Sequence, residues 1–257
     1  MFKKYLSSLI VACTLSACVT SPTGRNQLIF MPDNEVNQMG LQAFDELKKK
    51  QSISRNPSYN QLVSCVTNAL TRNTGGTWEV VVFEDKTLNA FALPGNKIGV
   101  HTGMLELVNT PDQLASVIGH EIGHVLAKHS NERLSQETAM KTGMGMVQAS
   151  GALGPTGMGL LGLGAEYGVM LPYSREHESE ADIIGLELMA KGGFDPRQSV
   201  TLWQKMEQAS QGGQQPVEFM STHPAHGTRI QNLQQHMNNA LQLQQQAISK
   251  GLQPHCS

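Results

Sequence analysis

The stretch NTPDQLASVIGHEIGHVLAKHSNE, residues 109–132, contains the pattern that decides the fold: His120, Glu121, Ile122, Gly123, His124. Two histidines four apart share one face of a helix and can hold a single zinc ion between them. At about 100° per residue, Glu121 stands beside His120, close enough to hydrogen-bond a zinc-bound water while staying outside the coordination sphere. The flanking residues predict a helix. Thr110 can cap it, Pro111 suits its first turn, and Asp112 sits at the positive end of its dipole. Leu114, Val117, Ile118, Ile122 and Val125 recur at helical spacing, so the motif falls within a buried helix.

Two histidines leave a catalytic zinc site one protein ligand short. The candidates lie in YSREHESEAD, residues 173–182, which opens another helix. Glu178 and Asp182 are four apart and share a face with Ala181 and Gly185, whereas Glu176 and Glu180 are displaced from Glu178 by about 200°. Ile184, Leu188 and Met189 mark the inward side. The consistent pair is Glu178 as zinc ligand and Asp182 as acceptor of a ligand histidine's N–H. Glu176 and Glu180 suit an exposed, charged face.

Taken together, His120-Glu121-x-x-His124 and Ser174-Arg175-x-x-Glu178-x-x-Ala181-Asp182 resemble the zinc metallopeptidase family of the CAAX prenyl protease, HtpX and BepA type. Asn89-Ala90-Phe91, Thr102-Gly103 and Ser221-Thr222-His223-Pro224 resemble its soluble bacterial branch, and the likeness covers most of residues 21–235. The resemblance implies a zincin-like, gluzincin-type domain with one zinc ion per chain. Its ligands would be His120, His124 and Glu178, its general base Glu121, and its outer carboxylate Asp182. It also implies His223 near the metal, as a transition-state stabiliser or as a fourth ligand in a resting, self-inhibited form. From the residues alone, His223-Pro224 also suits a plain turn. Arg229 either orients that loop, binds a carboxylate or lies on the surface. His129 and His226 lack a partner pattern and are expected in solvent. The implied substrates are unfolded or misassembled envelope proteins, with outer-membrane assembly machinery or a second protease as further partners. A different class of function, a chaperone or assembly factor with a latent zinc site, uses the same residues.

A length of 257 residues, 39% hydrophobic and 16% charged, suits one sizeable globular domain with appended helices. A net charge of −2 gives no electrostatic hold on nucleic acid. Lys3 and Lys4 followed by a short apolar run read as a secretory signal over residues 1–17. Leu15-Ser16-Ala17-Cys18 resembles the lipobox of bacterial lipoproteins, which implies acylation of Cys18 as the new N-terminus. Val19 and Thr20 bring no aspartate of the kind that retains such proteins at the inner membrane. The expected address is therefore the periplasmic face of the outer membrane. Of the remaining cysteines Cys65 and Cys256 would be the two thiols left in an oxidising compartment, and a disulfide between them is expected.

These boundaries give a signal peptide at 1–17, a lipidated Cys18 and tether at 18–32, a metallopeptidase domain at 33–235, and a Gln-rich helix and tail at 236–257. Asp33-Asn34 and Asn56-Pro57 open two scaffold helices. Extended runs at 77–83, 89–93 and 97–101, the last two joined by Pro94-Gly95-Asn96, predict a small sheet just before the zinc helix. Asn89, Ala90 and Phe91 lie on an expected edge strand whose free N–H and C=O groups can pair with an extended substrate peptide. Residues 141–170, rich in Gly and Met, read as a mobile apolar loop-helix segment near the site. Ile230, Leu233, Met237, Ala240, Leu241 and Ile248 predict a final amphipathic helix or pair. The fold class is α+β and mainly helical.

Overall fold

A computed structural model describes residues 18–150, 174–211, 218–223 and 227–256. In chain order the elements are β1 (Cys18–Thr20), β2 (Asn26–Leu28), α1 (Asp33–Lys50), α2 (Pro57–Thr71), β3 (Glu79–Phe83), β4 (Ala90–Leu93), β5 (Lys97–His101), α3 (Thr102–Leu107), α4 (Pro111–Leu126), α5 (His129–Ser150), α6 (Arg175–Lys191), α7 (Arg197–Gln211), α8 (Glu218–Thr222) and α9 (Thr228–Ser249). This is the mainly helical α+β class that the sequence patterns predict. Among the described residues the contacts separate a smaller unit, residues 18–36 and 128–150, from a larger one, residues 37–127, 174–211, 218–223 and 227–256.

The larger unit is built around α4. Thr110 Oγ1 accepts the Gln113 N–H at 3.2 Å, Pro111 fills the first turn, and Leu114, Val117, Ile118 and Ile122 are buried. Helices α2, α6 and α7 and strand β4 all pack on it. Its contact with α6 is backbone-close because both helices carry small residues there. A Cβ placed on Gly185 of α6 would lie 2.8 Å from the His120 nitrogen, and one on Gly123 would lie 2.8 Å from the Ala181 carbonyl oxygen. That intimacy sets the distance between the two halves of the site. Gly185→Ala is expected to cost about 1–3 kcal/mol from overpacking, and to weaken zinc binding by moving Glu178 and Asp182 outward. A thermal melt and a zinc titration check it; an unchanged pair of values would show that the helices have slack.

Helix α9 covers another side of α6, burying Leu233, Ala240 and Ala247. It is one continuous helix, and Ile248, expected on its inward stripe, is instead exposed, because Ala247 takes the inward place in the last turn. The exposed face expected for Glu176 and Glu180 holds for only one of them. Glu176 is exposed, but Glu180 is buried. Helices α3, α7 and α8 are additions that the hydrophobic patterns did not announce.

The sheet order is β3-β5-β4, with β3 parallel and β4 antiparallel to β5. The β4–β5 reversal uses Gly95 at φ +83° and Asn96 at φ +62°, residue types that tolerate the left-handed region. Strand β4 is an edge in this sheet, and α4 lies against it.

Cys65 on α2 is disulfide-bonded to Cys256, with Cα atoms 5.6 Å apart and a sequence separation of 191. Closing so long a loop restricts the unfolded chain, and the replacement Cys65→Ser with Cys256→Ser is expected to lower stability by about 2–4 kcal/mol. Equal denaturation midpoints with and without reductant would contradict that.

In the smaller unit the stretch read as a tether is a hairpin. Strand β1 pairs antiparallel with β2 in the register Cys18–Leu28, Val19–Gln27, Thr20–Asn26. Arg25 places a two-pronged guanidinium on Glu132 of α5, Nη1 to Oε1 at 2.9 Å and Nη2 to Oε2 at 2.6 Å, and Gln27 Nε2 adds a bond at 3.0 Å. Ser135 Oγ accepts the Phe30 and Met31 N–H groups. A polar strip His129, Glu132, Ser135 is therefore the inward face of α5, and His129, expected in solvent, is fully buried. Apolar periodicity does not register a polar inward stripe, which is why the sequence misplaced it. Helix α5 carries on through residues 141–150 of the Gly/Met-rich segment. Residues 151–170 of that segment, the signal peptide, Pro224 and His226 lie outside the described residues, and for Cys18 only the backbone is described. Among the described residues no helix is long and apolar enough to cross a membrane.

Candidate metal centre

Four side chains from three segments of the larger unit converge. His120 and His124 come from α4, Glu178 from the first turn of α6, and His223 from the residue after α8. One ligand atom from each lies within 4.8 Å of the others, and all four residues are buried. His124 Nε2 is 3.1 Å from His120 Nε2, and Glu178 Oε1 and Oε2 lie 3.4 Å and 3.3 Å from the two imidazoles respectively. His223 Nδ1 is 3.1 Å from Glu178 Oε1 and 3.2 Å from His120 Nε2, while its Nε2 is 3.3 Å from Glu121 Oε1.

Each of these positions has a local cause. The four-residue spacing on α4 brings the two histidines together, and Ser174 Oγ caps α6 by accepting the His177 N–H at 3.2 Å. Helix α8 is fixed by the Phe219 N–H donating to the Leu88 carbonyl, just before β4, and the His223 N–H donates back to the Phe219 carbonyl. The Phe219 ring lies 4.5 Å from the His223 imidazole, centroid to centroid.

Around this group sits a shell of charge. Asp182 Oδ1 is 3.0 Å from His120 Nδ1; a carboxylate only accepts, so Nδ1 donates and Nε2 keeps its lone pair for a metal. Arg229, buried on α9, forks onto Asp182 through Nε at 2.7 Å and Nη2 at 2.6 Å, and its Nη1 is 2.8 Å from Glu178 Oε2. Its guanidinium lies 3.7 Å from the Trp203 ring centroid. Of the readings left open for Arg229 by the sequence, the structure thus places it on carboxylates rather than on the surface. Trp203 and Phe219 escaped the sequence reading entirely; the sole hint is that Trp203 is one of two tryptophans in the chain.

Glu121 is buried beside the group, and Glu121 Oε2 accepts the Ala92 N–H of β4 at 3.0 Å. This brings the edge strand's backbone to the motif helix. Of the neighbouring residues read as substrate-binding, Asn89 and Ala90 are buried, and the Phe91 ring is turned to Phe83 and His101, 6.0 Å from each.

The electrostatics ask for a cation. Three carboxylates, Glu121, Glu178 and Asp182, face one guanidinium, and anions without balancing charge are costly in such burial. Burial alone would push the His120 imidazole down, but its hydrogen bonds to Asp182 and Glu178 prevail and raise it to about 9. The Glu178 carboxyl, which burial would raise, is held far below its usual range by hydrogen bonds from His120, His124 and His223. Burial would raise Asp182 too, but the Arg229 charge and the hydrogen bonds from Arg229 and His120 together lower it. Burial pushes His124 well down, which keeps it neutral and able to ligate, and pushes Glu121 up toward a basicity useful for accepting a proton. Two imidazole nitrogens and a carboxylate are a donor set that fits a catalytic zinc ion, with His120 giving up its proton on ligation.

Comparison with known proteins agrees with this geometry. Residues 54–237 match the model of Peptidase family M48. The mitochondrial metalloendopeptidase OMA1 of Schizosaccharomyces pombe is 34% identical over 210 residues, 79% of this chain and 61% of that protein. The Saccharomyces cerevisiae OMA1 is 34% identical over 67% of this chain and 51% of its own length, so the chain spans less than two thirds of these relatives. Metalloprotease LoiP of Escherichia coli is 27% identical over 246 residues, covering 91% of this chain and 96% of LoiP. By the extent of the family match and the site that lies within it, the chain belongs to peptidase family M48.

Proposed function

We propose that this chain is a zinc-dependent endopeptidase of the bacterial envelope that removes misfolded or misassembled proteins. The observation that carries the proposal is the meeting of three things at one point: a His-His-Glu group, a buried carboxylate beside it, and the backbone of an edge strand touching that carboxylate. A bound zinc ion supplies Lewis acidity, polarising a peptide carbonyl and lowering the pKa of a water molecule. The chain's own residues do the rest. Glu121 takes the proton of the attacking water and returns it to the leaving amine. Strand β4 pairs with an extended substrate, and this holds the scissile bond beside Glu121. Asp182 keeps the His120 Nε2 lone pair directed inward, and Arg229 holds Asp182. His223 offers a hydrogen bond to the carbonyl oxygen as it gains charge.

Cleavage of casein tests the activity. Fragments should accumulate with zinc present, stop with 1,10-phenanthroline and resume when zinc is restored. Stripping the metal should also remove about 2.7 kcal/mol of stability for zinc held at a hundred times its dissociation constant. Fragmentation that continues unchanged in chelator would sink the metal-dependent reading.

The address rests on Leu15-Ser16-Ala17-Cys18, with the acyl chain on Cys18 and the outer membrane as its destination. Support for envelope clients comes from the relative named beta-barrel assembly-enhancing protease in Yersinia pestis, 27% identical over 71% of this chain. The mitochondrial relatives support the peptidase and not the address. Fractionation of a Cys18→Ala form checks the anchor: release from the membrane supports it, retention refutes it. A second reading, an assembly factor for outer-membrane proteins with a latent zinc site, draws on one observation, the lodging of His223 among the ligand atoms. Under that reading a Glu121→Gln chain keeps its function in cells.

A further inference from the structure

The hairpin at the start of the described chain alternates cleanly. Gln27 and Ile29 are buried at 3% and 9% exposure, whereas Leu28 and Phe30 are open at 37% and 44%. This is the period-2 signature of a two-sided strand: Gln27, bonded to Glu132, and Ile29 are turned inward, and two large apolar side chains, Leu28 and Phe30, are turned outward. That is the reverse of what a solvent-facing hairpin requires. Two of the seven exposed large hydrophobics among the described residues, Leu28 and Phe30, lie two positions apart on this outer side. The backbone register sets Cys18 directly opposite Leu28. From Cys18 to Pro32 there is no carboxylate, and the one formal charge, Arg25, is neutralised by Glu132.

We propose that the outer side of this segment, Leu28 at the end of β2 and Phe30 just after it, is a membrane-contact surface that enters the bilayer interface beside the acyl group of Cys18. This deepens the lipid-anchor reading and rests on it. The reason is chemical continuity. An acyl chain on Cys18 draws the hairpin to the lipid surface, where an apolar, charge-free face is favoured and an open Phe in water is not. The lipid on Cys18 supplies the attachment, and an apolar contact beside it adds to that attachment and fixes its orientation. The bonds from Arg25, Gln27 and Ser135 fix the hairpin on α5. The smaller unit is then applied to the membrane by a face instead of swinging on a string.

The test uses the full chain, processed in a bacterial host, purified from membranes and reconstituted in phosphatidylethanolamine–phosphatidylglycerol vesicles. Phe30→Trp and, separately, Leu28→Trp supply reporters, their emission taken as the increment over the parent with Trp78 and Trp203. The expected result is a loss of about twofold in the added emission when the lipids carry bromine on their acyl chains, together with protection from aqueous iodide, as for a group seated in the interface. Intact mass reports acylation of Cys18 independently. An acylated chain whose added tryptophans stay open to iodide and indifferent to bromine overturns the proposal. Shielding from both quenchers also overturns it, since protein and not lipid would then cover the face. If the mass shows a bare thiol at Cys18, the anchor reading fails by itself, and bromine quenching in the chain mixed with vesicles still decides the hairpin.

Discussion

Glu121→Gln should leave zinc bound and the fold intact while slowing casein cleavage by about 10²–10⁴-fold. The reason lies in how the residue is held. Its carboxylate is buried, accepts the Ala92 N–H at 3.0 Å and lies 3.3 Å from His223 Nε2. A glutamine has the same shape and its amide oxygen can keep the bond from Ala92, so packing is preserved. An amide cannot take a proton from water, however, so the loss is confined to the chemical step. His120, His124 and Glu178 are untouched, and metal content by elemental analysis should equal that of the parent. The decisive measurement is initial cleavage rate at matched zinc occupancy. A variant retaining more than a tenth of the parent rate would remove Glu121 from the role of base. A variant that loses its zinc would make the rate uninterpretable as acid–base chemistry, and Glu121→Asp, which keeps the charge at shorter reach, would then separate the two effects.

Arg229→Ala should be the most damaging single change to stability, about 3–5 kcal/mol, because it strands buried charge. Asp182 receives both prongs of the guanidinium, and Glu178 receives its remaining nitrogen. Removing Arg229 also empties the space against the Trp203 ring. Asp182 without its partner no longer holds His120 rigidly, so zinc affinity should drop by roughly 10–100-fold, the range seen when outer partners of a ligand are lost. Arg229→Lys keeps the charge but not the fork and should fall between the two. Chemical denaturation with zinc absent isolates the first effect, and competition with a chelating dye isolates the second. A double replacement, Arg229→Ala with Asp182→Asn, should recover part of the stability because it removes an unpaired anion. Strict additivity of the two changes would show that the ion pair contributes nothing.

What could be read without coordinates was local. Thr110-Pro111 and Asn56-Pro57 announce helix starts through backbone groups a few residues away, and α4 and α2 begin where those residues stand. Branched residues bounded by Gly75-Gly76 announce β3, and Pro94-Gly95-Asn96 announces the reversal between β4 and β5. Helical periodicity brings His120 onto one face with His124, and Glu178 onto one face with Asp182. Such relations hold wherever the helices go. The misjudged residues were those whose surroundings come from distant segments. His129 and Glu180 carry polar side chains that in isolation belong in water, yet both are buried in the folded chain. The hairpin at 18–28 has strands of three residues each, too short for periodicity to reveal, and it is held to α5 by Arg25 and Gln27 across more than a hundred positions of sequence.

By itself, then, the sequence determined the two helical halves of a zinc site, the strands before them and the chemistry those residue types permit. Tertiary structure alone decided how the halves meet. Gly119, Gly123 and Gly185 let α4 and α6 close to backbone contact, α8 carries His223 in among the ligand atoms, and α9 delivers Arg229 to Asp182. The physical reason is range. Periodicity and capping act within a turn or two of one element, whereas the balance of buried charge depends on which elements share a volume, and only packing sets that.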